Sequence, residues 1–252
     1  MLLVMEGTNC EDEAFHCFRD SGFDSKIVHI NELKENNLED YDVLYLPGGF
    51  SAGDYVRAGA IFAVRLLESG GNNFKRFIDE GKPVVGICNG FQILTDLGLI
   101  PDISGKGKRE TALTVNLSNR FECRITFIKN MGKNPILSGV ATKPVPIPVA
   151  HGEGRVRFLN QQILEKVSDR NQILFSYTDP DGNMAGYPWN PNGSERNIAG
   201  ITNEAGNIIG MMPHPERLYY NAQLPYHYRG KAEPIGKEFF GALYSYSRKL
   251  LA

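Results

Sequence analysis

The stretch Val84–Leu94, VVGICNGFQIL, decides the fold that the sequence predicts. An apolar, β-branched run ends before Cys88 and a helical pattern begins at Asn89, so we expect a strand-to-helix turn at the cysteine. Gly86 and Gly90 stand two residues to either side, the spacing of a nucleophile elbow, in which a tight turn exposes the nucleophile. The N-terminus of the following helix favours an anion, here a thiolate. This pattern indicates a nucleophile rather than a buried structural thiol.

Short apolar runs alternate with helical patterns through the first hundred residues. Such alternation is typical of βαβ units, which form a parallel sheet covered by helices on both faces. The predicted strands are Leu2–Met5, Lys26–Ile30, Val43–Leu46 and Pro83–Ile87.

The pattern changes after about Leu99. Residues 110–117 and 121–128 predict an antiparallel hairpin, and residues 198–212 predict a second one with its turn at 204–207. Residues 235–251 show helical spacing. The expected fold is therefore α/β: a flavodoxin-like open sheet with a mostly parallel core, an antiparallel extension and helices on both faces, in a single domain over residues 1–252.

Composition excludes several classes of partner. The 252 residues include 27 Lys and Arg against 29 Asp and Glu, a formal net charge of −2, without blocks of like charge. This balance argues against nucleic acid or a charged membrane surface as the main partner. The sequence has no apolar run of about 18 residues and no signal-peptide pattern at its start. Its four cysteines form no CxxC pair, which predicts reduced thiols and a cytoplasmic protein.

A base for the cysteine is predicted at His214, in the segment MMPHPERL. Pro215 disfavours helical geometry at the preceding residue, so we expect an extended segment in which Glu216 lies beside the imidazole. Together with Cys88, these residues predict a Cys–His–Glu triad. The positions of His16 and His29, on a helix face and at a strand end, favour structural roles for them.

Acyl chemistry at a cysteine also requires donors for the oxyanion. Elbow geometry provides the backbone N–H of Asn89. The segment LPGGF offers a second donor at Gly49 or Phe50, although its glycines could serve the turn alone.

Several motifs together resemble those of the class I (triad) glutamine amidotransferases. The resemblance covers about Glu6 to Arg217, and the GxCxGxQ and PHPE elements are specific for the class. The matching segments are LPGGFSAGDYVRAGA, GKPVVGICNGFQIL, AHGEGR, NPNGS with IAGITNEAGN, and MMPHPER.

The resemblance implies a role for each matching residue. Cys88 would be the nucleophile, His214 the base and Glu216 its orienting partner. Gly49 and Asn89 would be the oxyanion donors, and no metal site is implied. The predicted substrate-binding residues, which include those at the amino-acid end of glutamine, are Phe50, Gln92, Gly152 and Glu153.

The implied activity is hydrolysis of L-glutamine to glutamate, with transfer of the ammonia to a separate synthetase subunit. Because the sequence lacks GxxxxGK[ST], we expect no cofactor in this chain and ATP with magnesium in that partner. By resemblance the synthetase aminates formylglycinamide ribonucleotide in de novo purine biosynthesis, with a small third subunit in some organisms. Residues 51–60 are the predicted docking loop.

Three alternatives stay open from the sequence alone. The chain could serve another pathway as a class I amidotransferase. It could be a cysteine hydrolase of the dienelactone-hydrolase type, which also uses an elbow cysteine. It could also be a catalytically silent flavodoxin-like module, which loss of a triad residue would have supported; all three residues are present.

Overall fold

The computed structural model describes residues 1–34, 37–105, 107–230 and 232–250. The strands are β1 (Leu2–Val4), β2 (Ile27–His29), β3 (Leu44–Leu46), β4 (Val84–Ile87), β5 (Thr111–Thr114), β6 (Glu122–Asn130), β7 (Val145–His151), β8 (Arg155–Phe158), β9 (Ile173–Thr178), β10 (Ile198–Thr202) and β11 (Ile208–Met211). The α-helices are α1 (Glu11–Asp20), α2 (Ala60–Asp79), α3 (Asn89–Asp96), α4 (Gln161–Asp169) and α5 (Ile235–Leu250).

Nine strands form one mixed sheet in the order β2-β1-β3-β4-β11-β10-β9-β6-β7. From β2 to β11 every neighbouring pair is parallel. From β11 to β7 every pair is antiparallel. The predicted fold class, a parallel core with an antiparallel extension, is confirmed.

The strand order explains why helices cover both faces. The chain leaves β1 through α1 towards β2, whereas it leaves β3 through α2 in the opposite direction, towards β4. Right-handed crossovers in opposite directions place their helices on opposite faces of the sheet. In agreement, α1 packs with α5 and α2 packs with α3.

The two predicted hairpins had different outcomes. The hairpin of β10 and β11 is confirmed, since Thr202 pairs with Ile209 in an antiparallel ladder. The hairpin of residues 110–117 with 121–128 is wrong. β5 instead pairs with β8 in a small second sheet, and β6 lies between β7 and β9. Asn116 turns the chain away from β6 by bonding to Gly152 and His151, so a distant segment replaces the neighbour in sequence.

Aromatic packing holds β3 against the helices α1 and α5. The ring of Tyr45, on β3, lies 5.2 Å from Phe18 of α1, and Phe18 lies 4.9 Å from Phe240 of α5. All three are buried, and each buried phenylalanine contributes roughly 1.5–3 kcal/mol. This core holds the carboxyl end of β3 in place. No helix among the described residues has the length and apolar character needed to cross a membrane.

Candidate active site

The candidate site lies at the point in the parallel sheet where the order of the strands reverses. β1 and β3 are neighbours whose crossovers run in opposite directions, and ligands of open α/β sheets bind in the crevice at the carboxyl ends of such strands. Cys10 follows β1, Gly49 follows β3, Cys88 follows β4 and His214 follows β11. All four line one cavity of about 380 Å³.

Cys88 occupies a strained turn between β4 and α3. Its backbone has φ 53° and ψ −105°, a conformation that costs a non-glycine residue about 1–3 kcal/mol and is concentrated at functional sites. A Cβ on Gly86 would lie 2.4 Å from the carbonyl oxygen of Gly90, and one on Gly90 would lie 2.0 Å from that of Leu46. Both glycines are therefore required by close backbone approach, as the elbow spacing predicts.

His214 is held by Glu216. Nδ1 of the imidazole and Oε1 of the carboxylate are 2.5 Å apart, and both side chains are buried. His214 is extended, with φ −105° and ψ 92°, but Pro215 begins a short 3₁₀ turn that runs to Leu218. The predicted contact is present, although Glu216 reaches the imidazole through this turn and not through an extended chain. The hydroxyl of Tyr45 also donates to Glu216, at 3.4 Å.

The environment of His214 favours its protonated form. Burial alone would lower the pKa of this imidazole, but the charges of Glu216 and then Cys88, with a hydrogen bond to Cys10, outweigh burial and hold the pKa well above its usual value. Nε2 is buried and has no partner among the residues that the structure describes. The ring nitrogen opposite Glu216 is therefore left for a proton transfer.

The candidate oxyanion donors differ in their availability. Asn89 is the first residue of α3, so its N–H has no partner within the helix. The N–H of Gly49 makes no hydrogen bond to another described residue, and its φ of 145° and a Cβ contact of 2.7 Å to Gly7 require glycine. The N–H of Phe50 is not free, because it donates to the carbonyl of Gly7 at 2.8 Å. Of the two residues in LPGGF that could supply the second oxyanion donor, Gly49 is the one whose N–H is available.

The predicted substrate-binding residues all line the same cavity. Nε2 of Gln92 donates to the carbonyl of Glu153 at 2.8 Å, and its Oε1 accepts from Asn89 at 2.9 Å. The half-exposed ring of Phe50 lies 6.3 Å from that of Phe121, which also lines the cavity. The structure thus brings seven of the nine predicted site residues to one cavity, and the other two, Glu216 and Asn89, are bonded to its lining residues His214 and Gln92.

Sequence reasoning missed several side chains of this cavity: Cys10, Asp54, Phe121, Cys123, His151 and Arg217. His151 and Arg217 belong to motifs that were singled out, AHGEGR and MMPHPER. Cys10 directly precedes a helix with three acidic residues in its first turn, which is a readable second strand-to-helix corner. No local sequence pattern marked Phe121 and Cys123. The predicted hairpin also placed β6 beside residues 110–117, and so away from β7 and β9, its neighbours in the structure.

One cluster of side chains in the described chain consists of residue types that can bind a metal ion. Ligand atoms of Cys10, His214 and Glu216 lie within 4.8 Å of one another. Their lone pairs are already engaged, since His214 is bonded to Glu216 and the guanidinium of Arg217 donates to Sγ of Cys10 at 3.0 Å. A fixed positive charge at this point opposes a cation, so the geometry favours acid–base chemistry.

Comparisons with known proteins agree with this geometry. The sequence profile of the CobB/CobQ-like glutamine amidotransferase domain matches residues 1–247. The phosphoribosylformylglycinamidine synthase subunit PurQ of Picrophilus torridus is 51% identical, over 97% of this chain and 97% of its own length. The corresponding subunit of Archaeoglobus fulgidus is 42% identical, over 99% of this chain and 97% of its own.

A solved structure is similar over nearly the whole chain. PurLQS from Thermotoga maritima contains a chain that is 30% identical and superposes with a TM-score of 0.75, covering 97% of this chain and 96% of that one. The solved structure thus agrees with the fold, and the domain profile and the two curated relatives identify the family. The chain belongs to the CobB/CobQ-like glutamine amidotransferases and, among them, to the family of the phosphoribosylformylglycinamidine synthase subunit PurQ.

Proposed function

We propose that this chain is the glutaminase subunit of a phosphoribosylformylglycinamidine synthase. It hydrolyses glutamine to glutamate and passes the ammonia to a synthetase subunit. One observation carries the proposal: a cysteine in a strained elbow shares a cavity with a buried histidine, 2.5 Å from a carboxylate. This is the arrangement by which a cysteine attacks an acyl carbon.

The first half-reaction forms a thioester. The Cys88 thiolate attacks the carboxamide carbon of glutamine, and the N–H groups of Gly49 and Asn89 stabilise the oxyanion. The raised pKa of His214 makes an imidazolium available, which gives its proton to the departing nitrogen as the C–N bond breaks. Ammonia leaves, and the glutamyl group remains on sulfur.

The second half-reaction uses the same histidine as a base. Once it has given up its proton, His214 accepts one from water, which attacks the thioester carbon. The carbon–sulfur bond breaks, which releases glutamate and regenerates the Cys88 thiolate. Glu216 keeps the imidazole oriented and stabilises its charged form in both steps.

The ammonia requires an acceptor on a partner chain. The name PurLQS describes an assembly that includes the Thermotoga maritima relative, and on this basis we assign to our chain a synthetase partner and a small third subunit. ATP and magnesium belong to the synthetase, which aminates formylglycinamide ribonucleotide in the cytoplasm. Residues 51–60 are the proposed docking loop, where Tyr55 is 76% and Val56 87% exposed.

The test is to assemble the chain with its synthetase and to measure amination of formylglycinamide ribonucleotide with glutamine or with ammonium as nitrogen donor. A Cys88→Ser variant should lose the glutamine-dependent reaction and keep the ammonium-dependent one. Cys123→Ser, which removes an exposed thiol of the same cavity, is the matched control and should retain both. Glutamine-dependent amination by Cys88→Ser would overturn the proposal.

A further inference from the structure

Tyr45 carries a buried hydroxyl group that the two half-reactions do not use. The residue lies in the middle of β3, between Leu44 and Leu46, and its side chain has no exposed surface. A buried position in an apolar strand normally holds an apolar side chain, because a hydroxyl that leaves water needs a hydrogen-bond partner. Within the described chain, the partner of this hydroxyl is Oε2 of Glu216, at 3.4 Å. The phenol oxygen therefore points at the carboxylate that holds His214.

The hydroxyl of Tyr45 is the donor in this contact. Burial first, and then the charge of Glu216, raise the pKa of Tyr45 well above its ordinary value, so the phenol keeps its proton. An ionised carboxylate can only accept. The distance of 3.4 Å is long for such a bond, and the hydrogen bonds of catalytic groups commonly shorten in the complex with substrate.

The carboxylate of Glu216 depends on this donor. Glu216 is 1% exposed, so bulk water does not solvate its oxygens. Oε1 is bonded to Nδ1 of His214, and Oε2 is bonded to Tyr45 and to no other residue that the structure describes. A buried carboxylate oxygen without a donor is costly. Loss of the Tyr45 hydroxyl would leave Oε2 unsatisfied and would remove a restraint on rotation of the carboxylate.

The surrounding core fixes both Tyr45 and the backbone of Glu216. The ring of Tyr45 lies 5.2 Å from that of Phe18 and 6.1 Å from that of Phe240, and both phenylalanines are buried. Sγ of Cys17, on α1, donates to the backbone carbonyl of Glu216 at 3.5 Å. Glu216 is thus held at its backbone by α1 and at its carboxylate by β3.

We propose that Tyr45 is a positioning residue for glutamine hydrolysis, whose hydroxyl holds the carboxylate of Glu216 with Oε1 directed at His214. The proposal rests on the proposed function, since it takes His214 as the acid and base of the reaction. Tyr45 does not line the cavity that contains Cys88, so it acts through Glu216 and not on the substrate. Its removal should therefore lower kcat and leave KM nearly unchanged.

The experiment is a double-mutant cycle between Tyr45→Phe and Glu216→Gln in the assembled complex. Tyr45→Phe removes one oxygen atom and keeps the ring. With Glu216 present it should lower kcat about tenfold, the order of one hydrogen bond to a charged group, with KM changed less than about threefold. In the Glu216→Gln background it should change kcat less than about twofold, because the charge that the hydroxyl stabilises is already absent. Glutamate release is followed for hours, so that the slow background is measured.

The matched control is Tyr219→Phe. Tyr219 is also buried, and its ring lies 6.1 Å from that of Phe240. Its hydroxyl is bonded to Ser21 at 3.1 Å and not to Glu216. This variant loses a hydroxyl from the same aromatic surroundings and should keep the kcat of its parent in both backgrounds. Urea unfolding of each variant separates a loss of stability from a loss of kcat.

Two results would overturn the proposal. The same fold-loss from Tyr45→Phe with and without the Glu216 carboxylate would show that Tyr45 supports the fold alone. An unchanged kcat in the presence of Glu216 would show that the carboxylate needs no second restraint. Absence of glutamine hydrolysis by the wild-type complex is a different failure, because it contradicts the proposed function itself.

Discussion

Two strand-to-helix corners of this protein each present a buried cysteine to the same histidine. Cys10 stands between β1 and α1, and Cys88 stands between β4 and α3. Cys10 has a φ of −114°, whereas Cys88 has a φ of 53° in a turn that two glycines permit. Sγ of Cys10 lies 4.0 Å from Nδ1 of His214, the nitrogen that Glu216 already holds at 2.5 Å.

The comparison teaches that the surroundings, and not the residue type, decide which thiol can react. Burial first, and then the charge of Glu216, raise the pKa of Cys10 despite its hydrogen bond with His214. Its sulfur also has a fixed partner, because Arg217 donates to it at 3.0 Å. We therefore expect Cys10 to support the dyad of His214 and Glu216, and Cys88 to carry the chemistry.

The largest expected difference is between the two cysteine variants. Cys88→Ser should lower glutamine hydrolysis on the order of 10⁴-fold or more, because the nucleophile is lost. Cys10→Ser should lower it less than about tenfold, since a hydroxyl can still accept from Arg217. Steady-state glutamate release by the assembled complex measures both. Equal losses in the two variants would contradict the assignment of the chemistry to Cys88 and of a supporting role to Cys10.

Glu216→Gln tests whether the carboxylate gives His214 its role. Removing the charge should lower the pKa of His214 and reduce kcat on the order of 10²- to 10⁴-fold. It should also remove stability that protonated His214 gives the folded chain. That contribution is complete below the unfolded pKa of about 6.5 and is lost as the pH rises through the raised folded value. The pH dependence of kcat and of unfolding measures both effects; Glu204→Gln, in a surface ion pair, is the control. A kcat within threefold of wild type would be the contrary result.

Gly48→Ala probes the space between the two corners. A Cβ there would lie 2.8 Å from Cε1 of His214, 3.0 Å from Sγ of Cys10 and 3.3 Å from Cβ of Cys88. We expect kcat to fall about 10²-fold, because a displacement of this size misaligns the reacting groups. Gly139→Ala adds the same methyl group in open space and should leave kcat unchanged. Equal kinetics in the two variants would show that the three side chains tolerate displacement.

The smallest expected effect is on the pH dependence of stability and comes from His151, whose pKa is shifted in the opposite direction to that of His214. Burial, followed by the charge of His214, lowers the pKa of His151 to about 4. Between pH 6.5 and 4 the unfolded chain binds this proton and the folded chain does not, so the free energy of unfolding should fall as the pH is lowered, by about 3 kcal/mol. His151→Gln should flatten this dependence in urea unfolding, whereas His16→Gln, on the exposed face of α1, should not. An unchanged slope in His151→Gln would contradict the assigned burial effect.

The sequence predicted the elbow and the parallel core because both are local. Glycine spacing around Cys88 and β-branched runs before it are readable within a dozen residues, as is the turn between β10 and β11. The contact between His214 and Glu216 was also predicted from their spacing, although a 3₁₀ turn and not an extended segment makes it.

The missed features all depend on pairing between distant segments. β5 pairs with β8 and not with the adjacent β6, a choice made by the long-range bonds of Asn116. The pairing of β6 with β7, in which Cys123 lies opposite Ala150, brings Phe121 and Cys123 to the cavity. Asp54 and Cys10 were missed because their surroundings come from Glu153, Arg217 and His214, which are 99 or more residues away in sequence.

The most direct test of the central claim is to ask which thiol glutamine protects. The assembled complex would be incubated with a diazo-ketone analogue of glutamine, and peptide mapping would assign the adduct among the four free cysteines, three of which line the cavity. The account predicts stoichiometric labelling of Cys88 that excess glutamine blocks, with Cys10 and Cys123 unmodified. Labelling of Cys10 or Cys123 in its place, or labelling of Cys88 that glutamine does not slow, would contradict it.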